Sequence, residues 1–145
     1  MFTAEGAEES DRQDLTGRII GAAIEIHKTI GPGLLESAYE ECIAHEMNLR
    51  GLNFDRQRPV PVAYKDVGLD CGYRLDFLVE EAVVLELKAV EAIQPIHEAR
   101  LLTCPKLGGW IVGLLINFNV PVLKSGIRRV VLDYKEPSAC SAPPR

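Results

Sequence analysis

Residues 73–90 read YRLDFLVEEAVVLELKAV, and this stretch decides how the rest of the chain is interpreted. Two apolar, strand-like segments flank a short acidic break at Glu80 and Glu81. Inside these segments lie Asp76, Glu86 and Lys88. Charged side chains are costly in apolar surroundings unless they are paired or bind a metal ion. The stretch therefore predicts a site for ions or anionic ligands on two neighbouring strands.

The chemistry of these three residues indicates a particular kind of site. The oxygens of Asp76 and Glu86, with the backbone carbonyl of Leu87, suit Mg²⁺ or Mn²⁺. Such a cation polarises a phosphodiester and lowers the pKa of a bound water. Lys88 could position that water or stabilise charge that develops on the phosphate. The alternative is a solvated hairpin face that carries a Glu/Lys pair, which is common on antiparallel strands.

The length of the loop decides whether the two carboxylates can meet. Side chains alternate between the two faces of a strand, so Glu86 and Lys88 share one face. A two-residue hairpin at Glu80 and Glu81 would place Asp76 and Glu86 on opposite faces, whereas an odd loop, for example over 80–82, or a bulge places them directly opposite each other. We predict the odd register.

Composition restricts the classes of protein to consider. The chain has 145 residues, 47% of them hydrophobic and 26% charged, which indicates one globular domain. Its net charge of −5 disfavours a module dedicated to coating nucleic acid. The four cysteines are far apart, which is typical of reduced thiols, and the acidic N-terminus does not resemble a secretory signal. We expect a cytoplasmic protein that has no membrane segment.

Apolar periodicity predicts the order of the elements as α-α-β-β-β-α-β-β within one α/β domain over residues 14–134. An acidic leader (1–13) and a Ser/Ala/Pro-rich tail (135–145) are predicted to be disordered. Prolines 59 and 61 predict that the first strand lies at a sheet edge or is irregular, and Pro105 is expected to interrupt or end the third helix. The expected helices cover 15–30, 34–50 and 94–106, and the expected strands cover 54–64, 71–79, 82–90, 110–116 and 127–132.

These motifs together resemble the GxxExxY family of the PD-(D/E)XK nuclease-like superfamily. Gly33, Glu36 and Tyr39 match the naming motif, and residues 74–76 and 86–88 match the superfamily signature. The resemblance extends from about Leu15 to Val131. It implies a restriction-endonuclease-like three-layer fold, a mixed sheet flanked by helices, in which Glu36 is an additional acidic group close to the metal and Tyr39 is a candidate substrate contact. Core packing is the alternative role for Tyr39.

The chain departs from the superfamily pattern on the helix that follows the lysine strand. Related nucleases carry Gln-x-x-x-Tyr there, whereas this chain has Arg100 and Cys104. Arg100 could bind substrate phosphate through its planar guanidinium group, or it could neutralise Asp76 and Glu86 and leave the site without metal.

Two functions follow from the sequence. The first is a metal-dependent nuclease-like phosphodiester hydrolase that acts on DNA or RNA. The second is a catalytically silent module that keeps the nuclease fold for interaction with nucleic acid or protein. The sequence leaves open whether the chain forms a homo-oligomer.

Overall fold

A central mixed sheet with helices on both faces organises the protein. The structure is a computed structural model that describes residues 4–69, 74–108 and 112–131. Its helices are α1 (Ala4–Ile30), α2 (Glu36–Leu49) and α3 (Pro95–Gly108), with a short 3₁₀ helix at Leu123–Gly126. Its strands are β1 (Phe54–Pro59), β2 (Val62–Tyr64), β3 (Val67–Leu69), β4 (Arg74–Val79), β5 (Val83–Lys88), β6 (Val112–Asn117) and β7 (Ile127–Val131).

The five-stranded sheet has the order β1-β4-β5-β6-β7, and β2 and β3 form a separate two-stranded ribbon. Strands β5 and β6 are parallel, whereas the other neighbouring pairs of the larger sheet are antiparallel. A parallel pair requires a long crossover, and α3 provides it between β5 and β6. The mixed sheet flanked by helices confirms the predicted fold class.

Two hydrophobic cores lie on the two faces of the sheet. The larger core packs α1 and α2 against one face, which presents the side chains of Phe77, Leu85, Leu87 and Leu114. The smaller core packs Leu101 of α3 against the other face, where Leu78, Val84 and Leu115 lie. Since neighbours along a strand point to opposite faces, Glu86 and Lys88 are on the α3 side.

The elements differ from the predicted ones at several places, among them β3, a short strand that was not predicted. Helix α1 begins at Ala4, inside the segment predicted to be a disordered leader; residues 4–13 contain several Ala, Glu and Gln residues, which are strong helix formers. The predicted strand over 54–64 is divided into β1 and β2 because Pro59 and Pro61 interrupt its pairing. Helix α3 continues through Pro105 to Gly108, so the prediction that this proline interrupts or ends the helix is wrong; Pro105 costs the helix one backbone hydrogen bond without ending it.

Other expectations are confirmed or lie beyond the described residues. Strand β1 is at a sheet edge, as its prolines predicted. The predicted tail over 135–145 lies outside the described residues. Within the part of the chain that the structure describes, we find no helix with the length and apolar character needed to cross a bilayer.

Gly126 lies where the end of β6 and the start of β7 approach each other closely. A Cβ atom built on Gly126 would collide with the backbone carbonyl oxygen of Asn117, which cannot move aside as a flexible side chain could. We expect Gly126→Ala to lower the free energy of unfolding by about 1–3 kcal/mol, the usual cost of overpacking. Chemical denaturation measures this change.

Gly17→Ala is the matched control. A Cβ atom on this exposed helix residue would meet no atom within 4 Å. The control should raise stability by roughly 0.5–1 kcal/mol because alanine is the better helix former. Equal effects of the two substitutions would contradict the close approach at Gly126.

Candidate active site

The register between β4 and β5 brings the two predicted carboxylates together. The pairs Val79↔Val83 and Phe77↔Leu85 leave a loop of three residues, 80–82, between the strands. Extending the same register by one residue places Asp76 opposite Glu86. The predicted odd register is therefore confirmed, and both side chains are on the α3 face of the sheet.

The loop that sets this register has an unusual backbone. Glu80 and Glu81 have positive φ angles of 53° and 54°, a conformation that residues other than glycine rarely adopt. Contacts with Asn53 hold it: the amide of Glu80 donates to the Asn53 carbonyl (2.9 Å), and the Asn53 amide donates to the Glu80 carboxylate (2.8 Å). These two bonds secure a loop whose length determines the geometry of the site.

Beyond the last paired residues of β4 and β5, the two carboxylates join the strands by accepting hydrogen bonds from backbone amides. The amide of Leu87 donates to Asp76 Oδ2 (2.8 Å), and the amide of Asp76 donates to Glu86 Oε2 (3.2 Å). Glu86 is buried, with 8% of its surface exposed, and Asp76 is partly buried. The two side chains are thus fixed by backbone groups of the strands that carry them.

Burial raises the pKa of both carboxyl groups. Loss of water contact raises the pKa of Glu86 to about 7, and the nearby negative charge of Asp76 contributes in the same direction. The pKa of Asp76 is also raised by burial, although the hydrogen bond from the Leu87 amide opposes the shift. Two neighbouring carboxylates that resist ionisation form a site at which a cation would be stabilising.

Two cationic side chains act electrostatically on this pair. Lys88 ends β5, is partly buried, and lies opposite Asn117 of β6 in the register. Arg100 belongs to α3. The positive charges of Lys88 and Arg100 both act to lower the pKa values of Asp76 and Glu86. The structure therefore places Arg100 among the charges that act on the predicted site.

Glu36 belongs to the same electrostatic environment. It is the first residue of α2, and partial loss of water contact raises its pKa, while Lys88 lowers that pKa and Asp76 raises it. Tyr39, one turn further along, is fully buried; its hydroxyl donates to the Gly31 carbonyl (2.6 Å) and accepts from the Leu34 amide (3.2 Å). This placement favours the core-packing role for Tyr39 over substrate contact.

Asn117 is a residue of the site region that the sequence analysis did not single out. Its side chain is buried, accepts a hydrogen bond from the Val90 amide (3.0 Å) and donates to the Val90 carbonyl (2.9 Å). It thereby holds the chain that leaves β5 after Lys88 and leads towards α3. One asparagine at the end of an apolar strand gives no sequence signal for such a long-range contact.

The donor set fits a hard divalent cation in its chemistry, because the carboxylates of Asp76 and Glu86 and the Leu87 carbonyl offer only oxygen atoms. Among the described side chains, however, no group of three or more His, Cys, Asp and Glu residues is arranged to hold a metal ion. Glu36 is thus near the pair without completing a three-residue cluster.

A mixed sheet flanked by helices, with an acidic pair and a lysine on adjacent central strands, is the arrangement that the sequence signature implied. A model of the PD-(D/E)XK nuclease superfamily matches residues 13–130, and the chain belongs to this superfamily. Neither the curated proteins nor the solved structures contain a significant match. The narrower assignment to the GxxExxY family stays a prediction.

We predict that Asn117→Asp destabilises the fold by about 3 kcal/mol, since the new carboxylate cannot donate to the Val90 carbonyl and is buried against it. Denaturant unfolding measures this loss. The matched control is Asn119→Asp, because Asn119 contacts Asn117 through its backbone amide. The control should change stability by less than about 0.5 kcal/mol; a comparable loss in both variants would contradict the role of Asn117.

The raised pKa of Glu86 predicts how stability depends on pH. Between the ordinary value of 4.5 and about 7, the folded protein retains a proton that the unfolded chain releases. The free energy of unfolding of the metal-free protein should therefore fall as pH rises through this window, by a total of about 3 kcal/mol. Asp76 and Glu36 contribute with the same sign because their pKa values are also raised.

Glu86→Gln should flatten this dependence. Denaturant unfolding with a chelator at about pH 5 and about pH 8 measures the slope. Glu91→Gln, which alters an exposed carboxyl after β5, serves as the control. A slope in the Glu86 variant as steep as in the unmodified protein would contradict the assignment to Glu86.

Proposed function

We propose that the protein is a metal-dependent nuclease-like hydrolase that cleaves phosphodiester bonds of DNA or RNA with Mg²⁺ or Mn²⁺. The observation that carries the proposal is the pairing of Asp76 with Glu86 across β4 and β5, on the face that also presents Lys88. Membership of the PD-(D/E)XK nuclease superfamily supports a nuclease-like reaction.

Each residue of the site has a separate role in this proposal. Asp76, Glu86 and the Leu87 carbonyl would hold the cation, which when bound supplies Lewis-acid polarisation of the phosphodiester and a water of lowered pKa. Lys88 orients the attacking water or stabilises the charge that develops on the phosphate. Arg100 contacts a phosphate oxygen of the substrate.

Glu36 adds negative charge beside the acidic pair, as its electrostatic interaction with Asp76 indicates. A further carboxylate near a cation site can accept a proton from a bound water or hold the cation through a water molecule. Both roles depend on where the Glu36 carboxylate lies relative to Lys88 and Asp76.

A second candidate function is a catalytically silent nuclease-fold module that binds nucleic acid or protein. The observation that favours it is the charge of Arg100, which acts on Asp76, Glu86 and Glu36 alike. A guanidinium group that neutralised these carboxylates would supply the positive charge that a metal ion otherwise supplies.

Cleavage assays test the proposal directly. We expect the purified protein to cleave single-stranded or double-stranded DNA or RNA in Mg²⁺ or Mn²⁺, and Lys88→Ala to slow cleavage by roughly 100-fold or more. Asp76→Asn and Glu86→Gln should abolish it together with metal binding. Lys28→Ala, which removes an exposed lysine of α1, is the control and should retain activity.

Calorimetry with Mn²⁺ separates the two candidate functions. Metal binding that is lost in Asp76→Asn and in Glu86→Gln supports the hydrolase. Absence of metal binding in the unmodified protein, or cleavage that Lys88→Ala leaves unchanged, rejects the proposed mechanism. If the unmodified protein binds no metal, Arg100→Ala shows whether the guanidinium group prevents binding, because its removal should then allow Mn²⁺ to bind.

A further inference from the structure

The hydroxyl of Tyr39 closes the loop that connects α1 to α2. It donates to the Gly31 carbonyl (2.6 Å) and accepts from the Leu34 amide (3.2 Å), so a side chain of α2 bonds to both ends of the segment 31–34. Gly31 and Gly33 have positive φ angles of 70° and 102°, which glycine adopts without strain. The loop therefore has a defined shape, and Tyr39 is bonded to it at two points.

The aromatic ring of Tyr39 contacts Phe118, the residue that follows β6 and is connected to Lys88. It stacks on Phe118, with ring centroids 4.3 Å apart and planes at 6°. The amide of Phe118 donates to the carbonyl of Lys88 (2.9 Å). One buried side chain is thus connected through its hydroxyl to the loop before Glu36 and through its ring to a residue hydrogen-bonded to Lys88.

Among the described contacts, no other side chain forms a hydrogen bond with the backbone at the start of α2. The N-cap position is Leu35, which makes no side-chain capping bond, and its side chain is exposed. A helix without a capping side chain frays more readily at its first turn. Glu36 is the first helical residue, so its position depends on how the preceding loop is held.

We propose that Tyr39 is a positioning residue that fixes Glu36 relative to Lys88 and Asp76. The inference rests on the proposed function, because it assigns Tyr39 an effect on the cation site through Glu36. The two parts of the Tyr39 side chain then have separate roles: the ring packs in the core, and the hydroxyl fixes the position of the Glu36 carboxylate.

Tyr39→Phe tests the inference because it retains the ring and removes only the hydroxyl. In the metal-free protein, hydrogen exchange of the Leu34 amide should accelerate, since this amide loses its acceptor. In calorimetry, the affinity for Mn²⁺ should fall by about tenfold, as expected when a group that orients a site residue is removed. In a Glu36→Gln background, the same substitution should cause no further loss.

Thr16→Val is the matched control. Thr16 is a buried residue of α1 whose hydroxyl donates to the Gln13 carbonyl (3.0 Å), so the variant also loses one buried hydroxyl bond. We expect a comparable decrease in Tm for Thr16→Val and Tyr39→Phe, with unchanged affinity for Mn²⁺ in Thr16→Val.

The outcomes distinguish the inference from the proposed function. Unchanged Mn²⁺ affinity in Tyr39→Phe, or an equal loss with and without Glu36, overturns the positioning role while the proposed function stands. An unmodified protein that binds no Mn²⁺ rejects the proposed function, and the positioning role with it. Loss confined to proteins that contain Glu36 supports both.

Discussion

The hydrogen bond from the Leu87 amide to the Asp76 carboxylate joins the fold to the candidate site. It exists because three residues, 80–82, separate β4 from β5, and this odd number places Asp76 opposite Glu86. If the same segment paired with two or four residues in the loop instead, one carboxylate would lie on the opposite face of the sheet. Only in this register do both carboxylates lie on the sheet face that carries Lys88 and packs against α3, the helix of Arg100.

The pairing of Asp76 with Glu86 lowers the free energy of unfolding of the domain when both groups are ionised. Glu86 is buried beside Asp76, and both groups have raised pKa values because ionisation in this environment is unfavourable. Natural proteins retain such local costs where function requires them. The two hydrophobic cores on either face of the sheet supply the apolar burial that offsets this cost.

Local patterns in the sequence predicted the parts of the site that depend on strand parity and residue type. Asp76, Glu86 and Lys88 could be assigned to one face because side chains alternate along a strand, and the mixed sheet followed from the order of apolar segments. The sequence did not predict the contact of Asn117 with Val90, since the two residues are 27 positions apart and meet only through the crossover. Nor could it choose between packing and substrate contact for Tyr39, because both roles are compatible with an aromatic residue on a helix.

The position of the acidic pair on a tight hairpin has a consequence for the order of folding. Asp76, Glu86 and Lys88 lie within a segment of 13 residues, so closing a single short loop brings them together. Glu36 reaches the pair only when α2 docks on the sheet, and this contact spans 40 positions between Glu36 and Asp76, so closing it costs more chain entropy. We therefore expect the acidic pair to form early in folding and the charge of Glu36 to reach it later. In a partly folded chain, the two carboxylates would already face each other while still in contact with water.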